Sequence, residues 1–327
     1  MEGSAAAAPA AGPPLLTTAQ IRALRPPRPP VSLAAAHGWR WEEERVPGGA
    51  LVPTLTVFLA GGECRFTCLH CDLWRTTVPF ATPVGALPKQ LVAVLAAASP
   101  LPSGARIKLY NASNFFDERA VPASDEPALA ALLAPFAEVV VECHPALVGE
   151  RCFRFAERLK GRLQVALGLE TVHPRALAAL NKGMRVGDFA RAAAALGARG
   201  VGVRAFVLVA APGVPPRHAS TWAARSAALA VAAGAEHVSL IPLRAGNGAI
   251  DALVASGRAA LPTLTDLEAA LDASLGLAPA VIAADLWDLE RLAACRACFA
   301  ARRQRLERIN RSGRPAPPVR CAAGCEG

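Results

Sequence analysis

Three cysteines fall close together in the stretch GGECRFTCLHCDLW, at Cys64, Cys68 and Cys71. A closed zinc site takes four ligands and a disulfide takes two, so three thiols at this spacing need another account. Three readings are open. Zinc would need His70 or a distant residue to complete its shell. A redox pair would use Cys68 and Cys71 and leave Cys64 without a role. A [4Fe–4S] cubane on three cysteines leaves one iron open for a small molecule, and only this reading gives the missing ligand a use. A second set stands near the C-terminus, where CRAC and CAAGC carry Cys295, Cys298, Cys321 and Cys325. Two closely spaced pairs suit the two sides of a tetrahedral zinc site, the favoured occupant, although an auxiliary iron–sulfur cluster uses the same ligands.

The elements that must position these groups follow a regular alternation. Short β-branched or apolar runs at 54–60, 106–112, 138–143, 163–170, 203–209 and 237–243 read as strands. Between them, Ala- and Leu-rich stretches near 88–98, 125–134, 147–160, 187–199, 218–233 and 264–275 have a helical period. Serial βα units imply a parallel sheet with helices outside, as a doubly wound sheet or a partial barrel. The first cysteine set directly follows the first strand. The polar stretches YNASN, ECH, LET and PLRAGN fall at the C-terminal ends of strands, where barrel sites are assembled.

This arrangement resembles the radical S-adenosylmethionine superfamily: C-x3-C-x2-C after the first strand, with the aromatic His70 before the last cysteine. The resemblance covers about residues 50–280 and implies a partial (βα)6 TIM-like barrel with a [4Fe–4S] cluster at its mouth. S-adenosylmethionine would chelate the open iron there and be cleaved to methionine and a 5′-deoxyadenosyl radical. An electron donor such as flavodoxin or ferredoxin would reduce the cluster. The cofactor-contacting positions it implies are Asn111, Ser113 and Asn114 after the second strand, in place of the common Gly-Gly-Glu, and Glu142 beside His144 after the third. Glu170 is placed for the ribose hydroxyls, and Lys182 and Arg204 for the methionyl carboxylate. GGECRFTCLHCDLW, the Glu-x-x-Pro at 142–145 and GLETVHPRALAALNKGM group the chain with the radical subunits of Elongator and of archaeosine synthase. That group acts mostly on tRNA, so a tRNA base is one substrate to expect.

The remaining sequence sets boundaries. Residues 1–30, rich in Ala and Pro, are expected to be a disordered tail; 31–280 form the barrel and 281–327 a small C-terminal four-cysteine metal module. Of the net charge of +9, +5 lies in 287–327, where nine arginines face four acids. Its helical stripe of Phe299, Leu306 and Ile309 is flanked by Arg302, Arg303 and Arg305. Such a helix fits two roles, docking on RNA phosphates or packing Phe299 and Trp287 on the barrel as a lid. No secretory signal or unbroken apolar span is visible, so a cytoplasmic location without membrane insertion is expected. In that compartment nine cysteines point to metal or catalysis rather than disulfides. Two other classes remain open: a non-catalytic zinc- and RNA-binding protein, and an electron-transfer iron–sulfur protein.

Overall fold

The strands form where β-branched residues run together, and the sheet they build is buried on both faces. Most of EVVVEC and all but the first residue of RLQVALGLE are buried, as expected of parallel strands covered by helices. The structure, a computed structural model, describes residues 13–325. Its sheet has eight strands in chain order: β1 (Gly38–Arg45), β2 (Leu51–Phe58), β3 (Arg106–Tyr110), β4 (Glu138–Cys143), β5 (Arg162–Glu170), β6 (Gly202–Val209), β7 (His237–Pro242) and β8 (Val281–Ala284). β1 is antiparallel to β2, and every later pair is parallel. The sheet curls into a half-barrel. The helices are α1 (Thr18–Ala23), α2 (Ala86–Ala98), α3 (Glu126–Leu132), α4 (Glu150–Arg158), α5 (Pro174–Ala179), α6 (Val186–Gly197), α7 (Ala219–Ala232), α8 (Ala249–Ala255), α9 (Leu264–Ser274) and α10 (Arg296–Ser312).

The six expected strands are therefore present, with two more at the sheet's edges. β1 lies in an acidic stretch, WRWEEER, without an apolar run to announce it. β8 is only VIAA, but it pairs with His237–Leu240 of β7, so the sheet continues past residue 280. The tail also needs correction. Residues 1–12 lie outside the described residues, but 13–30 are not a loose arm. Thr17 caps α1 in a reciprocal box with Gln20. Ile21 and Leu16 bury their side chains with Leu69, Leu243, Ile250 and Leu253.

α10 closes the open side of the half-barrel, between β1 and β8. Asn310 donates from Nδ2 to the Ala284 carbonyl at 2.8 Å and accepts the Ala284 N–H at 2.9 Å, occupying the exposed edge of β8. Arg311 pairs with Glu43 at 2.7 Å, and Arg45 donates to the Asn310 carbonyl near the end of the helix. The basic face is thus partly structural. Arg302 is buried on Glu268 and Thr265, and Arg305 is buried on Asp272 at 2.8 Å and on the carbonyls of Ala316 and Pro317. Two of the three arginines expected to meet RNA are committed inside the protein. Arg305→Ala should cost roughly 2–3 kcal/mol in denaturant unfolding, below a fully buried pair because Asp272 is 39% exposed. A loss of salt-sensitive RNA binding in this variant at unchanged stability would instead restore the docking role. Among the described residues, no helix is long and apolar enough to cross a membrane.

Candidate active site at the barrel mouth

The cysteine loop leaves the C-terminal end of β2 and is held from four directions. Arg25 and Arg28, after α1, grip Glu63. Arg65 makes a bidentate pair with Asp117 at 2.7 Å, linking the loop to the end of β3. Leu69 donates its N–H to the Leu180 carbonyl, and its own carbonyl accepts from Asn247. Gly62 is required for close approach rather than for a left-handed turn. A Cβ there would stand 2.6 Å from the Arg119 carbonyl and 2.8 Å from that of Phe80. Cys64, Cys68 and Cys71 are half-buried and none is in a disulfide. Burial pushes the Cys68 thiol up to about 12 and raises Cys71 well above its usual value. Such sulfurs hold protons when alone and become thiolates beside a metal centre. The donor set therefore fits a resident metal group better than a reactive redox thiol.

The opposite wall is built from strand ends. Glu170 ends β5 in the left-handed region, at φ 64°, beside an irregularity in the β5–β6 register. That conformation is unfavourable for a non-glycine residue and is common at functional sites. Its carboxylate accepts from Lys182 Nζ at 2.6 Å and lies 3.7 Å from His70 Nε2. Burial alone would raise the Glu170 carboxyl, but Lys182 and His70 outweigh it and hold the group below its usual value. The pair exists because Gly168 leaves room: a Cβ there would fall 2.1 Å from both Glu170 Oε1 and Lys182 Nζ. Lys182 was expected to face a ligand carboxylate; it faces Glu170.

Several polar atoms around the mouth, on the loop and on this wall, have no partner. Glu142 Oε2, Ser113 Oγ and His70 Nδ1 are buried without a hydrogen bond. With nothing to compensate, burial pushes the Glu142 carboxyl up to about 8. Buried polar atoms are normally satisfied, so unpaired ones lining a cavity mark where a ligand's polar groups would sit. All three residues line a cavity of about 1220 Å³, together with Cys64, Cys68, Cys71, Asn114, His144, Glu170, Lys182 and Arg204. Asn111 departs from expectation: it is fully buried and is not among the residues lining this cavity. His144 has a structural role. It accepts the Ala146 N–H, stacks on Phe66 with centroids 3.9 Å apart, and is held neutral by burial and Lys182.

Arg204 also departs from its expected role. Its guanidinium is bidentate to Glu44 at 2.8 Å and donates to Gln164, which commits three of its five N–H groups to the protein. It belongs to a buried network that the sequence reading missed, in which Glu42 and Glu44 of β1 neutralise Lys108, Arg106 and Arg204 inside the barrel. A signal was present. Three cations stand in the otherwise apolar strands RIKLY and VRAFVLV, and buried charges of this kind need acids. EEE at 42–44 supplies them from 62 to 160 residues away in the chain.

At the far end of the chain, the sulfurs of Cys295, Cys298, Cys321 and Cys325 all lie within 4.8 Å of one another. Cys295 and Cys321 are 3.8 Å apart, and Cys298 and Cys325 are 3.6 Å apart. The four-thiol group expected from sequence is therefore assembled, at the start of α10.

Strands β2–β8 thus form a seven-stranded parallel arc with a three-cysteine loop at its C-terminal mouth. No family model matches the chain, and no curated protein matches it. Solved structures do. Streptococcus suis SuiB bound to S-adenosylmethionine is 11% identical over 69% of this chain and 48% of that one, with a TM-score of 0.51. The archaeal Methanocaldococcus infernus Elp3 is 12% identical over 59% and 50%, with a TM-score of 0.44. TsrM from Kitasatospora setae, a radical S-adenosylmethionine methyltransferase with cobalamin and a [4Fe–4S] cluster bound, is 15% identical over 57% and 37%, with a TM-score of 0.42. The chain spans about half the length of the first two proteins and less of the third. The likeness to SuiB establishes the fold.

Proposed function

We propose that this protein is a radical S-adenosylmethionine enzyme. The observation that carries the reading is the placement of three unbridged thiols on a pinned loop, opposite the unpartnered Glu142 and Ser113 in one cavity. Cys64, Cys68 and Cys71 would hold a [4Fe–4S] cluster, and Glu142, Ser113 and the Glu170–Lys182 pair would bind the polar groups of S-adenosylmethionine. When bound, the two supply one-electron reduction of a sulfonium and a carbon radical that abstracts hydrogen. The chain's own residues keep that chemistry dry and in place. Thr56, Phe58, Ala166, Phe206 and Leu208 line the cavity below the mouth, and α10 closes the side that the sheet leaves open. An external one-electron donor of flavodoxin or ferredoxin type is required by this reading.

The terminal module is better suited to one zinc ion than to a second cluster. Tetrahedral bonds of ~2.3 Å put sulfurs ~3.8 Å apart; two of the sulfur pairs stand at 3.8 and 3.6 Å and all lie within 4.8 Å. Its role is structural: it ties residues 321–325 to the first turn of α10.

The reading is tested with anaerobically reconstituted protein, dithionite and S-adenosylmethionine. Formation of 5′-deoxyadenosine and methionine, by a protein carrying one cubane and one zinc, is the expected result. A colourless protein with zinc at both cysteine sets and no 5′-deoxyadenosine would instead favour a zinc-binding module. A cubane that never cleaves the cofactor would favour an electron carrier.

A further inference from the structure

We propose that Asn114 sets the reduction potential of the cluster, an inference that rests on the cubane reading above. Asn114 is 5% exposed, and its amide is bound at both ends. Its Oδ1 accepts the backbone N–H of His144 at 2.6 Å, and its Nδ2 donates to the Cys64 sulfur at 3.0 Å. The first bond fixes the second. A backbone N–H only donates, so the amide oxygen must face His144 and the NH2 group must face the sulfur; a flip would oppose two donors. The residue cannot swing away, because its neighbours are anchored as well. Phe115 donates its N–H to the Glu142 carbonyl at 2.8 Å, and Asp117 is locked to Arg65. Among the described residues, no side chain donates to the sulfur of Cys68 or Cys71. Asn114 therefore delivers the one side-chain hydrogen bond to the three-cysteine set, and it does so from a different strand end.

A hydrogen bond to a cluster thiolate draws electron density from the sulfur. The reduced cluster carries one more negative charge than the oxidised one, so the bond stabilises it more and raises the potential. The buried setting strengthens the effect. Asn114 acts through Cys64, as a positioning residue that eases reduction by the external donor.

The test compares wild type, Asn114→Leu and Asn114→Asp. Iron and sulfide are measured first, then midpoint potentials by redox titration followed by EPR. Both variants are expected to keep the cubane and to move its midpoint to more negative values. The reduced-to-oxidised ratio at fixed potential should fall about tenfold, equivalent to ~59 mV for a one-electron couple. Asn114→Asp separates tuning from anchoring, since it keeps an acceptor for the His144 N–H but loses the donor to sulfur. Its shift should equal or exceed that of Asn114→Leu. Unchanged midpoints, or a shift in Asn114→Leu that Asn114→Asp restores, would overturn the proposal while leaving the cluster reading intact. Loss of the cubane from both variants would make Asn114 a loop anchor and would also overturn it. A wild-type protein that binds no cubane would remove the cluster reading as well.

Discussion

Replacing Cys64, Cys68 and Cys71 together by alanine is expected to remove the cubane and all cleavage of S-adenosylmethionine while leaving zinc in the terminal module. The expectation follows from how separately the two thiol sets are held. The first is fixed by Glu63, Arg65 and Leu69 to α1, the β3 end and the segments after β5 and β7. The second sits at α10, whose docking depends on Asn310, Arg302 and Arg305. The folding cost should be small, because the loop's anchors are not the cysteines and half-buried thiols contribute little as free groups. Iron, sulfide and zinc content, measured beside the unfolding midpoint, check this. Retention of iron in the triple variant would contradict the cluster assignment, and loss of zinc with the iron would contradict the independence of the two sets.

Glu170→Ala should have the second largest effect, on both stability and cofactor affinity. It would leave Lys182 with its side chain 8% exposed and without its carboxylate. Breaking a buried pair in this way typically costs about 3–5 kcal/mol, since the remaining charge stays desolvated. The wild-type pair also has a defined pH response. Glu170 is held below its ordinary value of 4.5, so its contribution is fully present above that pH and is lost as pH falls through the lower folded value. Acid unfolding of wild type should therefore include a proton uptake below pH 4.5 that Glu170→Ala lacks. A double variant, Glu170→Leu with Lys182→Met, separates fold from function. Replacing both ions by apolar groups should recover most of the stability, because buried pairs often break even against hydrophobic residues. Affinity for S-adenosylmethionine should stay low. Recovery of both together would return the pair to a purely structural role.

Much of this arrangement was legible because it rests on local signals. β4 and β5 are continuous apolar runs, and the structure reproduces β4 at 138–143 and starts β5 one residue early, at 162. The cysteine sets are patterns of spacing, which survive without knowledge of tertiary contacts. What was missed depends on pairing at a distance. β1 becomes a strand because Glu42 and Glu44 meet Lys108, Arg106 and Arg204 from β3 and β6, and no local pattern encodes that meeting. The same pairing turns the Arg204 guanidinium toward Glu44, a commitment that its strand alone does not announce. Arg302 and Arg305 looked like a solvent-facing basic stripe until α9 supplied Glu268 and Asp272. In each case the charge was visible in the sequence and its partner was not.

The central claim is that the open iron of a three-cysteine cubane meets S-adenosylmethionine at this mouth. EPR of the anaerobically reconstituted, dithionite-reduced protein, recorded with and without S-adenosylmethionine, tests it most directly. A reduced-cubane signal whose g-values change on adding the cofactor, and which is absent from the Cys64, Cys68 and Cys71 triple variant, is the predicted result. A cubane signal that the cofactor leaves unmoved, or one that survives in the triple variant, would contradict it.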